Sequence, residues 1–246
     1  STETRHSKEC FNGTERPKLK VHPKTSRNDA FSAVLWLLGS RRHWGNIPLV
    51  PMWDIKWSEK RNQVVWRGKL TGTGGTGEKN CNDIPRCRLV KKYEESFLVD
   101  AALSNPYGME NIVGDKPKMG GRMSISQLLK YKAIIMVEGN DVSSGLKWAL
   151  WCRSVVFMQE PTKTSWAMEE LLEPWVHYIP LDENLGNVET QMAWVIENDE
   201  MAQRVAERAT LFIYDMLYHP DAARDDAAIK KEMMERYRMF FKHEEQ

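Results

Sequence analysis

YKAIIMVEGNDVSSGLKWALWCRSVVFM, residues 131–158, decides the fold. Ala133 to Val137 is a continuous apolar run, the pattern of a strand buried on both faces. Glu138-Gly139-Asn140-Asp141 reads as a tight loop. Residues 143–153 read as a helix with Leu146, Trp148, Ala149, Leu150 and Cys152 apolar, and 154–158 as a second strand. Strands that alternate with helices specify an α/β layer built on a parallel sheet.

The same alternation continues outward. Upstream, Gln63 to Trp66 reads as a strand that stops at Arg67-Gly68 and enters a Gly/Thr-rich loop. A helix over 85–95 and a strand over 97–101 follow, then a long loop over 104–122 rich in Gly, Pro and Asn. Downstream come a helix at 166–172, a short strand at 175–180, helices over 187–197 and 199–217, and a charged amphipathic helix over 222–243. Residues 1–30 are polar and basic and read as an arm, 30–38 as one helix, and 46–58 as an irregular packed segment. The expected organisation is an N-terminal part over 1–60, and a Rossmann-like domain with C-terminal helices over 61–246.

At 246 residues the chain is long enough to bury a proper core. Thirty-five Lys and Arg against 34 Asp and Glu leave a formal charge of +1, which gives no support to broad electrostatic binding of nucleic acid or an anionic membrane. No apolar run approaches the ~20 residues of a membrane-spanning helix. Of Cys10, Cys81, Cys87 and Cys152, none forms a C-x-x-C pair, which argues against a zinc site. Cys81 and Cys87 flank one loop and are candidates for a small disulfide; Cys152 reads as a small buried hydrophobe. Asn12-Gly13-Thr14 is a formal glycosylation acceptor.

Ligands of open parallel sheets sit beyond the carboxyl ends of the strands. Two such ends carry suitable residues. At the first, Gly139 and Asn140 lead to Ser143, Ser144 and Lys147 at a helix start, where free N–H groups and the helix dipole favour a phosphate; the same residues also suit an ordinary capped helix with a solvent-facing lysine. At the second, Arg67 can fork onto a phosphate and Gly68 admits a ligand to the backbone, although a structural ion pair would use the same arginine. The glycine loop is not a P-loop: Glu78 stands where the lysine belongs. No G-x-G-x-x-G follows a first strand, which argues against a dinucleotide cofactor. His177, among Trp175, Val176 and Tyr178, suits either a structural role or a pocket wall.

The run over 131–161, the block LLEPWVHYIPL over 171–181 and the segment ENDEMAQRVAERATLF over 197–212 together resemble glycosyltransferase family 90, the protein O-glucosyltransferases and fungal capsule-associated xylosyltransferases. VVWRGKLTG and SFLVDAAL upstream are similar to its preceding strands, so the resemblance covers about residues 64–214. It implies a GT-B fold, a UDP-sugar donor, inversion at the anomeric carbon and no obligatory metal. It implies further that Arg67 contacts the diphosphate, that Gly139, Asn140, Ser143 and Ser144 line the donor loop with Lys147 close by, and that His177 borders the donor pocket. Many relatives carry an arginine where this chain has Gly145, which leaves Lys147 to supply the charge.

The expected activity is transfer of a glucose- or xylose-type sugar to a hydroxyl of a protein or glycan. Inverting transfer needs a general base; the candidates are Asp54, Asp29 and Glu59, with Asp54 favoured because it lies between two tryptophans. The resemblance implies that residues 1–60 hold an arm and the remnant of an acceptor-side domain, and the rival expectation is a non-catalytic nucleotide-sugar-binding module or a degenerate or truncated relative. The endoplasmic reticulum or Golgi lumen is the expected compartment for a eukaryotic source.

Overall fold

The computed structural model describes residues 19–21, 45–71, 77–165 and 167–243. Most of the arm, the helix expected over 30–38, the Asn12 sequon, Asp29, the centre of the glycine loop and Trp166 lie outside the described residues. By backbone contacts the chain divides into two compact units, one of residues 1–36 with 220–246 and one of residues 37–219. In the first, β1 (Leu19–Val21) pairs antiparallel with β9 (Phe241–His243), and helix α7 (Ala222–Phe240) precedes β9. The rest of the fold belongs to the second.

The second unit is built on a parallel sheet of five strands: β2 (Arg61–Gly68), β4 (Val99–Leu103), β6 (Tyr131–Met136), β7 (Val155–Met158) and β8 (Ile179–Pro180). A separate ladder joins β3 (Lys79–Asn80) to β5 (Ile112–Val113). The spatial order in the large sheet is β4-β2-β6-β7-β8. The chain therefore moves outward from β2 to β4, then returns across β2 to lay down β6, β7 and β8 on its other edge. The reversal falls between β2 and β6, and their carboxyl ends border the crevice where open α/β sheets bind ligands.

Alternate residues of each strand feed two cores, as the two-residue pleat requires. Val64, Trp66, Ala133, Ile135, Val155 and Phe157 pack with Leu89 and Val90 of α2 (Pro85–Lys92) and with Met192 and Val195 of α5 (Val188–Glu197). On the opposite face, Val65, Ile134 and Val156 meet Leu146 to Leu150 of α4. Val50 of α1 (Val50–Trp53), Leu128 of α3 (Ile125–Leu128), and Ala209 and Ile213 of α6 (Asp199–Leu217) complete that face. Residues 47–57, expected to belong with the arm, thus supply Ile47, Val50 and Trp57 to the sheet's own cores.

Four elements differ from expectation. The charged helix expected over 222–243 ends at Phe240 and is followed by β9. The helix expected over 143–153 is only α4 (Leu146–Leu150), and all five of its residues are buried, so amphipathic periodicity could not orient it. The strand expected over 175–180 is a turn at 175–177 followed by the two residues of β8; Trp175, with φ of 64°, breaks the extended run. The helix at 166–172 is reduced to a 3-10 turn at Glu169–Leu171.

Candidate nucleotide-sugar site

The amino ends of the strands are closed by a buried ion. Lys60, wholly buried just before β2, donates to Asp54 Oδ1 (2.5 Å), to the Leu129 carbonyl (2.5 Å) and to Ser154 Oγ (2.9 Å). Leu129 precedes β6 and Ser154 precedes β7, so one ammonium ties three strand starts together. Asp54 completes the knot by accepting from the Ile55 and Arg153 backbone N–H groups. The favoured candidate base is therefore a buried counter-ion at the edge of the sheet opposite the switch-point crevice. Glu59, also exposed to this edge, precedes β2 by two residues.

His177 also belongs to that edge. It precedes β8, its Nδ1 accepts from the Glu173 N–H (3.0 Å), and its ring lies 5.4 Å from that of Phe212 on α6. Burial lowers its pKa below the usual imidazole value against the opposing pull of Glu173. The structure thus places His177 ahead of β8, whereas the switch-point crevice lies beyond the carboxyl ends of β2 and β6.

Three further candidates lie near the carboxyl ends but face elsewhere than expected. Arg67 folds back over the sheet: Nη2 meets Asp100 Oδ1 at 2.6 Å and Nη1 donates to the Asp100 and Trp66 carbonyls. Tyr131 donates to the other Asp100 oxygen at 2.7 Å. The arginine's charge is thus spent on a structural pair, although its Nε–H is buried without an acceptor among the described residues. Gly68 makes room for Trp66, whose indole would lie 2.4 Å from an added Cβ. Lys147 is wholly buried and meets Glu169 Oε1 at 2.5 Å, so it does not face solvent.

The loop that follows β6 does reach the crevice. Gly139 is half-buried and Asn140 exposed, and Ser143 and Ser144 are half-buried ahead of α4. Ser143 Oγ lies 3.4 Å from Met136 Sδ, and no side chain caps α4, so the expected serine cap is absent. Glu138 accepts from the Thr162 N–H and hydroxyl and from Lys163, and so pins residues 162–163 over the ends of β6 and β7. Burial raises the Glu138 pKa, but these bonds outweigh it and hold the group below the usual carboxylate value. Beneath the staple is a slot of about 20 Å³ lined by Met136, Val142, Leu146, Met158 and Pro161 together with Glu138, Ser143, Gln159 and Glu169, room for one water-sized molecule. Among the described residues no group of three or more His, Cys, Asp or Glu is placed to hold a metal ion.

The residue that sequence reasoning missed is Arg86. It occupies the first turn of α2, and its guanidinium spans the switch point. Nη2 donates to the Val137 carbonyl (2.6 Å) and Nε to the Glu138 carbonyl (3.2 Å), just past β6; Nη1 donates to the Lys69 carbonyl (3.2 Å), just past β2, and to Thr71 Oγ1 (2.6 Å). Gly139 is glycine for this arginine: an added Cβ would lie 2.5 Å from Thr71 Oγ1 and 3.0 Å from Arg86 Nη2. No carboxylate pairs with Arg86 among the described residues, and burial alone lowers its pKa from 12.5 to about 10. A largely desolvated cation held by neutral acceptors is costly without an anion. A signal was present in the sequence: a cation in the first turn opposes the helix dipole, and such local conflicts mark function.

The chain is similar in sequence to known glycosyltransferases. The profile described as glycosyl transferase family 90 matches residues 52–239. The chain is 28% identical over 211 residues to "O-glucosyltransferase LpsA" of Dichelobacter nodosus, covering 84% of this chain and 59% of that protein. It is 30% identical over 154 residues to "Protein O-glucosyltransferase 2" of Danio rerio (61% of this chain, 28% of that protein). It is 28% identical over 166 residues to "Protein O-glucosyltransferase 1" of Homo sapiens (67% of this chain, 40% of that protein). The chain thus spans about three fifths or less of the curated relatives it matches. With the match extending over most of its length, the chain belongs to glycosyl transferase family 90.

Proposed function

We propose that this chain carries the donor-binding half of a GT-B-type transferase that takes a UDP-sugar and passes a glucose- or xylose-type sugar, with inversion, to a hydroxyl of a protein or glycan. The observation that carries the reading is Arg86, a buried guanidinium at the switch point with no carboxylate partner among the described residues. In this reading the diphosphate lies against Arg86 and the α2 N-terminus, where helix dipole and guanidinium stabilise the charge that develops on the leaving group. Gly139, Asn140, Ser143 and Ser144 form the loop over the donor. The O-glucosyltransferase names of the relatives support a sugar acceptor of this kind. The Cys81–Cys87 disulfide supports an oxidising compartment, such as the secretory lumen of a eukaryote.

A second reading, binding without transfer, is favoured by one observation. Asp54, the expected base, is buried in the Lys60 knot at the other edge of the sheet. One experiment separates the two. Calorimetric titration with UDP, UDP-glucose and UDP-xylose is paired with a UDP-release assay, on the parent and on Arg86→Ala. Loss of a charge-assisted contact predicts affinity weaker by roughly tenfold or more in the variant. Binding with release supports the transferase; binding without release supports the module; equal binding by parent and variant removes Arg86 from the site.

A further inference from the structure

Arg86 sits between two covalent restraints. Helix α2 begins with Ile84 at its N-cap, a poor capping residue, and no side chain caps the helix. Its start is instead fixed by Pro85 at the first helical position and by the disulfide from Cys81, in the 3-10 turn Cys81–Asp83, to Cys87 at the third. The two Cα atoms are 5.1 Å apart and both cysteines are buried. Arg86 lies between the proline ring and the bridged cysteine. Its reach to the Lys69, Val137 and Glu138 carbonyls depends on where this single turn is held.

We infer that the Cys81–Cys87 disulfide is a positioning device for Arg86 and so sets the affinity of the crevice for a nucleoside diphosphate. The inference rests on the donor-site reading above. A dithiol that reduces the bridge, itself closing to a cyclic disulfide, leaves two thiols, an uncapped helix start and an arginine free to drift from the switch point. Binding then weakens while the five-stranded sheet, whose hydrogen-bond ladders do not include the two cysteines, stays folded.

The test is calorimetric titration of the full chain with UDP at low temperature, oxidised and after reduction by a dithiol, with circular dichroism on the same samples. Cys81→Ser/Cys87→Ser serves as the permanently open form, and Arg86→Lys and the triple variant complete a cycle. The expected result is a Kd about tenfold higher on reduction, ~1.4 kcal/mol, with unchanged far-ultraviolet dichroism and recovery on reoxidation. In the Arg86→Lys background, opening the bridge has a smaller effect, because the two changes act on one contact. Equal affinity of oxidised and reduced protein, or an equal loss in both backgrounds, overturns the positioning role while leaving the donor site standing. No UDP binding by the oxidised parent overturns the donor-site reading and this inference with it. If the serine variant fails to fold, reduction and reoxidation of the parent give the same decision.

Discussion

Replacing Lys147 with methionine separates a ligand-binding lysine from a structural one. The ammonium is wholly buried and 2.5 Å from Glu169 Oε1, and Glu169 also accepts from the Ser165 N–H (2.7 Å) and hydroxyl. Lys147→Met leaves a buried carboxylate without its cation, a loss of about 3–5 kcal/mol. At roughly 2–4 °C per kcal/mol for a chain of this size, the melting temperature falls by roughly 6–20 °C. The pH dependence has a defined sign. In the parent, burial raises the Glu169 pKa but Lys147 and Ser165 outweigh it, so the net pKa is lowered. A lowered carboxylate pKa gives stability that is present above the unfolded value and lost as pH falls through the folded one. Without Lys147 burial dominates and the Glu169 pKa rises. The deficit of the variant is then largest near neutral pH and shrinks as acid protonates Glu169. Lys147→Met/Glu169→Leu, which removes both charges, recovers most of the loss. Urea unfolding at pH 7 and pH 5 measures these differences, and UDP titration below the transition shows unchanged affinity. A variant as stable as the parent at pH 7 but unable to bind UDP would refute the assignment and return Lys147 to the ligand.

Asp54→Asn strands the buried Lys60 ammonium and costs about 3–5 kcal/mol in urea unfolding, while UDP affinity measured on folded protein is unchanged. His177 has a lowered folded pKa, so the unfolded chain binds the extra proton first and stability falls as pH drops below about 6.5 toward the folded value. His177→Gln should therefore lose less stability than the parent between pH 7 and pH 5, with no change in UDP binding at pH 7. Gly139→Ala drives a methyl into Thr71 Oγ1 and toward Arg86 Nη2. Stability should fall by about 1–3 kcal/mol and UDP affinity should fall with it; calorimetry showing full affinity would detach Gly139 from the Arg86 site.

The apolar runs of β6 and β7 and the helical patterns beside them dictate a parallel α/β sheet without reference to any structure, because strands buried on both faces need helices on both faces. The family, too, was legible in the blocks at 131–161 and 171–181. The strand order was not. Nothing local to β2 says that it lies between β4 and β6, yet that order places the switch point and brings Lys69, Arg86 and Val137 together. Asp54 and His177 lie at the amino edge for one reason: in a parallel sheet the residues before each strand gather at the edge opposite those that follow it. The apolar pattern predicts His177 in mid-strand, but the positive φ of Trp175 breaks the run. Lys147 was misplaced because α4 is buried all round, so its sequence carries no exposed face. Arg86 was missed, because a cation at the wrong end of a helix dipole is a signal that apolar pattern and glycine loops do not reveal. The sequence determined which residues form strands and helices, through apolar pattern and turn chemistry. Tertiary structure decided which charges find carboxylates and which do not, because that depends on neighbours distant along the chain.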